Sequence, residues 1–256
     1  MKQKTIIIAN WKMNFEPNIE AGLAEKFVSG LTRLANDVEI VLCPSHVGLH
    51  QVNQFIKKSN LVLGAQNMSW VRQGAFTGEI SAEMLDDVGA KYCIIGHSDR
   101  RIKLGETDKM VNQKVLCALV DDVLPIICVG ETYNERSEGK KEIVVQRQLE
   151  AALKNVSGQK PIVITYEPVW AISPGGPAMP DDIQPMIELI YQSLIDYFPL
   201  ELVEENFRII YGGSVDGSNV SGFLELDKVS GALVGAASLS YDKFKTIIEQ
   251  AKKNTC

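Results

Sequence analysis

The sequence predicts an α/β fold, a (β/α)8 barrel of eight parallel strands surrounded by helices, and three observations predict it. Eight short apolar runs, each bounded by turn residues, recur along the whole chain. Segments of helical period lie between them. The length of 256 residues matches the roughly 250 that eight strand-helix units occupy.

The first run, residues 5–9, reads Thr-Ile-Ile-Ile-Ala, too short for a helix and apolar at consecutive positions. That is how a strand buried on both faces of a parallel sheet reads. Runs of the same kind occupy 39–43, 61–65, 92–95, 124–129, 162–166, 207–211 and 232–234. Before the fifth strand, Val111, Val115, Ala118 and Leu119 repeat with helical period, and before the seventh so do Ile183, Ile187, Ile190, Leu194 and Phe198. The helix after the sixth strand is expected to start near Asp182, capped by Asp181 or Asp182, so that Pro185 falls within a tolerant first turn. His46 and His50 are placed on the second helix, with structural roles.

Residues 1–256 are read as a single domain, because no linker, low-complexity tract or charge block divides them. Alternation alone leaves a doubly wound open sheet possible, although no G-x-G-x-x-G follows the first strand. The chain is 45% hydrophobic and 23% charged with a formal net charge of −6, which argues against nucleic acid and acidic membranes as partners. An anionic substrate would need a local positive field. No apolar stretch is long enough for a membrane span or a signal peptide. Five cysteines (Cys43, Cys93, Cys117, Cys128, Cys256) form no CxxC pair, which fits a reducing cytoplasm better than a disulfide framework. Cys43, Cys93 and Cys128 fall in strand-like runs and read as small buried hydrophobes.

In a barrel the chemistry sits at the carboxyl ends of the strands. The first strand runs into Asn10-Trp11-Lys12-Met13-Asn14, where Lys12 is either a solvated rim lysine or a cation at the barrel mouth. The fourth ends in Gly96-His97-Ser98-Asp99, so His97 is a structural histidine or an acid/base group. The sixth ends in Glu167-Pro168-Val169-Trp170-Ala171-Ile172, followed by the small residues of 173–178. Glu167 either salt-bridges a neighbour or serves as a general base whose apolar cover excludes water. Small residues after the seventh strand (Gly212, Gly213, Ser214) and the eighth (Gly235, Ala236, Ala237) make ordinary turns or let backbone amides approach a phosphate.

Taken together these motifs resemble the triosephosphate isomerase family along nearly the entire chain. The matching stretches are Asn-Trp-Lys-Met-Asn at 10–14, Gly-Ala-Gln-Asn-Met at 64–68, Gly-Ala-Phe-Thr-Gly-Glu-Ile-Ser at 74–81 and Ile-Gly-His-Ser-Asp-Arg-Arg at 95–101. Cys-Val-Gly-Glu at 128–131, Tyr-Glu-Pro-Val-Trp-Ala-Ile at 166–172 and Tyr-Gly-Gly-Ser-Val at 211–215 complete the set. The resemblance implies a TIM barrel, a cofactor-free and metal-free aldose-ketose isomerase of glycolysis and gluconeogenesis, and a small sugar phosphate as substrate. It implies Glu167 as the base, His97 as a neutral proton donor and shuttle, Lys12 as the neutralising cation and Asn10 as its neighbour. The phosphate would rest on Ser173, Ser214, Gly235 and Ala236, under a loop closing over 169–178. The 66–78 loop would dock into a partner subunit of a homodimer and bring Thr77 to its active site.

Three positions depart from the family pattern. Asp99 replaces a glutamate, and the shorter side chain is expected to reach Lys12 and Asn10 less well and loosen the network. The tip Ser173-Pro174-Gly175-Gly176-Pro177 carries two prolines that remove N–H groups, so loop closure and turnover are expected to differ while phosphate binding survives. Ala236 replaces a second glycine and is expected to tighten the phosphate pocket. Two other readings stand beside this one: an isomerase acting on a related small sugar phosphate such as erythrulose phosphate, and a non-catalytic relative kept as a binding protein.

Overall fold

The computed structural model describes residues 4–172 and 178–254. Its strands are β1 (Ile6–Asn10), β2 (Glu39–Cys43), β3 (Val62–Ala65), β4 (Tyr92–Ile95), β5 (Leu124–Val129), β6 (Ile162–Tyr166), β7 (Phe207–Tyr211) and β8 (Val229–Val234). They pair in parallel, each with the next, and β8 returns to β1 to close the barrel. The open-sheet alternative is excluded by that closure.

Side chains alternate between two layers. Ile6 and Ile8 of β1 point inward and pack with Val41, Ile94, Ile126 and Leu233 in the barrel interior. Ile7 and Ala9 face outward, where the helices cover them. A strand buried on both sides cannot alternate apolar with polar, which is why the apolar runs were readable.

Two boundaries differ from expectation by two residues or more. β8 begins at Val229 rather than 232, because Ser230 and Gly231 interrupt the apolar run while Val229 still pairs with Ile209 and Gly231 with Ile6. Only a glycine fits at 231, where a Cβ would stand 1.9 Å from the Ile6 carbonyl oxygen. The long helix after β6 runs Pro180–Tyr197, so it starts before Asp182 and carries Pro185 in its interior. Pro180 supplies a first turn with a preset φ, and Asp182 reaches back to accept the Met179 amide at 3.2 Å. His46 lies in the turn His46–Gly48 ahead of helix Leu49–Ile56, with its Nε2 2.7 Å from the Asn67 carbonyl oxygen, and His50 lies on that helix. Cys43, Cys93, Cys117 and Cys128 are free and buried, while Cys256 lies outside the described residues. Among the described residues no helix is long and apolar enough to cross a membrane.

Candidate active site

The carboxyl ends of the strands converge on a cleft of about 320 Å3 lined by Asn10, Lys12, His97 and Glu167 on one side and Gly213, Ser214, Gly235 and Ala236 on the other. The first four come from β1, β4 and β6, so the sequence-predicted chemistry is gathered in one place.

Lys12 follows β1 directly and has a left-handed backbone, with φ of 54°. A non-glycine residue adopts that conformation only when its surroundings hold it. Asn10 Oδ1 accepts the Lys12 amide at 3.1 Å, and Gln66 Nε2 donates to the Lys12 carbonyl at 2.8 Å and to that of Cys43 at 3.0 Å. Gln66, the first residue after β3, thereby fixes the lysine, a role that reading the chain segment by segment did not reveal. The Lys12 ammonium binds Asp99 Oδ2 at 2.8 Å, so the expectation that the shorter carboxylate reaches it less well is corrected for Lys12. No bond joins Asp99 to Asn10 among the described residues. Burial opposes ionisation of Asp99, but hydrogen bonds from Lys103 and Lys12 and the lysine's charge outweigh it and hold the carboxyl well below its ordinary value.

His97 caps helix Ser98–Leu104, and its Nδ1 accepts the Asp99 backbone N–H at 3.0 Å. An accepting Nδ1 carries a lone pair, so the neutral ring bears its proton on Nε2. That nitrogen lies 3.2 Å from Glu167 Oε1. The turn that aims the ring depends on Gly96, whose φ is 74° and whose amide donates to Glu106 Oε1 at 3.0 Å. Behind it Glu106 pairs with Lys114 at 2.7 Å and with Arg100, anchoring the strand end.

Glu167 is the first residue after β6 and only 2% exposed. Its Oε2 accepts the Ser98 backbone N–H at 2.9 Å, while Oε1 is buried with no aligned hydrogen-bond partner. Backbone packs tightly around it. A Cβ at Gly130 would stand 1.7 Å from the Glu167 carbonyl oxygen, and one at Gly212 would stand 3.0 Å from its Cγ. A second cleft of about 430 Å3 shares Glu167 as a wall, but there Arg101 and Arg147 are both paired with Asp108, at 2.6 and 3.2 Å, and Glu106 is held by Lys114 and Arg100. The Cys128 thiol is pushed up by burial and by the Glu167 carboxylate beside it, which keeps it protonated.

Past Glu167, the short helix Val169–Ile172 is held at Trp170. Its indole N–H donates to Glu131 Oε1 at 2.9 Å, and the Arg136 guanidinium lies 4.2 Å from the ring centroid. Glu131 is fully buried and also accepts from Tyr166 Oη at 3.1 Å; burial, the larger influence, raises its carboxyl despite these donors. Ser173 lies outside the described residues.

Across the cleft, Gly235 precedes a short 3-10 turn, Ala236–Leu239. Among the described residues no protein acceptor takes the amides of Ser214, Gly235 or Ala236. A Cβ at Gly235 would lie 3.8 Å from Lys12 Cε, so the lysine stem and the glycine backbone face each other directly. Thr77 does not line the cleft of its own chain.

A closed eight-stranded barrel with a carboxylate, an imidazole and an ammonium facing small-residue amides defines an isomerase of small phosphorylated carbonyl compounds. A family model described as triosephosphate isomerase matches residues 5–251. A triosephosphate isomerase of Caldanaerobacter subterraneus subsp. tengcongensis is 45% identical over 96% of this chain and 99% of its own. That of Carboxydothermus hydrogenoformans is 41% identical over 96% of this chain and 98% of its own. The crystal structure of triosephosphate isomerase from Bartonella henselae superposes with a TM-score of 0.88 at 35% identity, over 97% of this chain and 99% of that one. The chain belongs to the triosephosphate isomerase family, whose members are isomerases of the intramolecular oxidoreductase class. These comparisons do not favour an erythrulose phosphate isomerase.

Proposed function

We propose that the chain interconverts dihydroxyacetone phosphate and D-glyceraldehyde 3-phosphate, a step of glycolysis and gluconeogenesis, with Glu167 as base, His97 as proton donor and Lys12 and Asn10 facing the substrate oxygens. The observation that carries this reading is the approach of His97 Nε2 to Glu167 Oε1, 3.2 Å, in the cleft that Lys12 and the amides at Ser214, Gly235 and Ala236 also line.

In the forward step Glu167 leaves the Ser98 amide and takes a proton from the carbon beside the carbonyl. The C–H electron pair becomes the new C=C bond, and the carbonyl pair moves onto oxygen. The His97 Nε2–H and the Lys12 ammonium receive that charge. His97 gives its proton to one enediolate oxygen and recovers one from the other, and Glu167 returns its proton to the neighbouring carbon. Substrate and product thus have the same composition.

The phosphate is held by the amides of Ser214, Gly235 and Ala236, with Ser173 joining from the 169–178 segment as it closes. Closure excludes water, which strengthens the electrostatics and protects an intermediate that would otherwise expel phosphate. Loop kinetics that match a family member lacking the two tip prolines would contradict the expected change in closure. Asp99 supports Lys12.

The working form is a homodimer through the 66–78 loop. Met13 and Phe76 support this, since they are 97% and 46% exposed and a monomer would leave them in water. The loop would carry Thr77 to the partner's cleft. Residues 1–256 act as one domain, and the free buried thiols suit a cytoplasmic setting.

A coupled assay on D-glyceraldehyde 3-phosphate, repeated with a phosphate-bearing enediolate mimic as competitor, tests the assignment. Turnover and competitive inhibition are expected. A folded preparation that interconverts no triose phosphate overturns it.

A further inference from the structure

The charges around the cleft do not by themselves favour an anion. Lys12 and Glu167 line it with His97, and Lys12 is already paired with Asp99. Lys12 (+1), Asp99 (−1) and Glu167 (−1) sum to −1. The chain as a whole carries −6. A phosphate dianion therefore approaches a repulsive trio on a repulsive surface.

Lys103 changes that balance. It sits one helical turn after Asp99 on helix Ser98–Leu104, and its Nζ binds Asp99 Oδ1 at 2.7 Å while Lys12 holds Oδ2 at 2.8 Å. Each carboxylate oxygen thus has its own ammonium. The other cations near this helix are engaged elsewhere, Arg100 with Glu106 and Arg101 with Asp108. When Lys12 turns its charge toward a substrate, Asp99 keeps a counter-ion. The sum with Lys103 is zero before substrate arrives.

We propose that Lys103 is a positioning residue for the isomerase reaction, sharing Asp99 with Lys12 so that the Lys12 ammonium is released to the anionic substrate at little electrostatic cost. This rests on the reading of the cleft given above. Lys103 touches no substrate and acts only through Asp99. Its side chain is 71% exposed, so its field is open to salt screening.

The test is steady-state kinetics of the full chain and of Lys103→Met, Lys103→Arg and Lys103→Glu on D-glyceraldehyde 3-phosphate, at about 10 mM and about 0.5 M ionic strength. At low ionic strength Lys103→Met should raise KM about threefold or more, Lys103→Glu further, and kcat should change by less than about twofold. Lys103→Arg should restore KM, and high salt should shrink every difference toward unity. A KM for Lys103→Met equal to that of the unsubstituted chain overturns the proposal while leaving the isomerase reading intact. So does a deficit that persists in high salt with a lowered melting temperature, which marks a purely structural role. An inactive unsubstituted chain brings down both.

Discussion

The Glu167 carboxylate is tied by one oxygen to the backbone N–H of Ser98, 2.9 Å away and 69 positions earlier in the chain, while its other oxygen is buried without an aligned partner. A half-satisfied buried carboxylate is poised to exchange its protein contact for a substrate proton. Glu167→Gln keeps an acceptor for Ser98 and should fold normally, yet it cannot take a proton. Activity should fall about 10²–10⁴-fold or more. Glu167→Asp withdraws the carboxylate by one methylene and should also lose activity by orders of magnitude. Rates within a few-fold of the unsubstituted chain in both variants would falsify the assignment of the base.

Trp170 ties the short helix Val169–Ile172 to the barrel through Glu131. Trp170→Phe removes the indole donor and leaves a fully buried carboxylate with fewer hydrogen bonds. Stability should drop by about 1–3 kcal/mol, read by urea unfolding. kcat/KM should fall as well, because the segment loses its anchor. An unchanged unfolding midpoint would mean that Glu131 is satisfied without the tryptophan.

Much of this was legible in the sequence because a parallel barrel buries both faces of every strand and so writes each one as an apolar run. Lys12, His97 and Glu167 stood out as polar residues at the ends of such runs, though only the family resemblance chose between a structural and a chemical role for each. What was hidden depends on closure in space. Gln66 clamps the Lys12 backbone from another strand, and Asp99 meets Lys12 across 87 positions of chain. The reach of Asp99 was misjudged because side-chain length was weighed without the position of the helix that carries it. β8 began early because pairing needs backbone, not an apolar side chain, as at Gly231 opposite Ile6.

Stability should depend on acid in a defined direction. Burial works against ionisation of Glu106, but the hydrogen bonds and charges of Lys114 and Arg100 outweigh it and lower its value from the ordinary 4.5. A carboxyl depressed in the folded state gives stability that is complete above its unfolded value and lost as pH falls through its folded value. Asp99 acts in the same sense. Glu20 and Glu131, raised chiefly by burial, act in the opposite sense and gain from protonation. Glu106→Gln should therefore flatten the loss of stability between about pH 5 and pH 2. At neutral pH it should already cost about 3–5 kcal/mol, since Lys114 would remain buried without its counter-ion. An equally steep acid limb in Glu106→Gln would show that the pair does not govern acid unfolding.

The homodimer reading predicts that charge on its exposed apolar groups separates the subunits. Phe76→Glu, combined with Met13→Glu, should sediment as a monomer with an intact far-ultraviolet spectrum and greatly reduced activity. A double variant that stays dimeric, or a monomeric form of full activity, argues against the 66–78 loop as the interface that completes the site.

The central claim is that one amine, one imidazole and one carboxylate act on a two-carbon unit whose phosphate is anchored opposite. A crystal structure with a phosphate-bearing enediolate mimic tests it most directly. The account predicts the Glu167 carboxylate released from Ser98 and set over the mimic's reacting carbons. It also predicts His97 Nε2 and Lys12 Nζ on the oxygens, with phosphate on the amides of Ser214, Gly235 and Ala236. A mimic bound with its phosphate elsewhere, or with Glu167 still on the Ser98 amide, would contradict it.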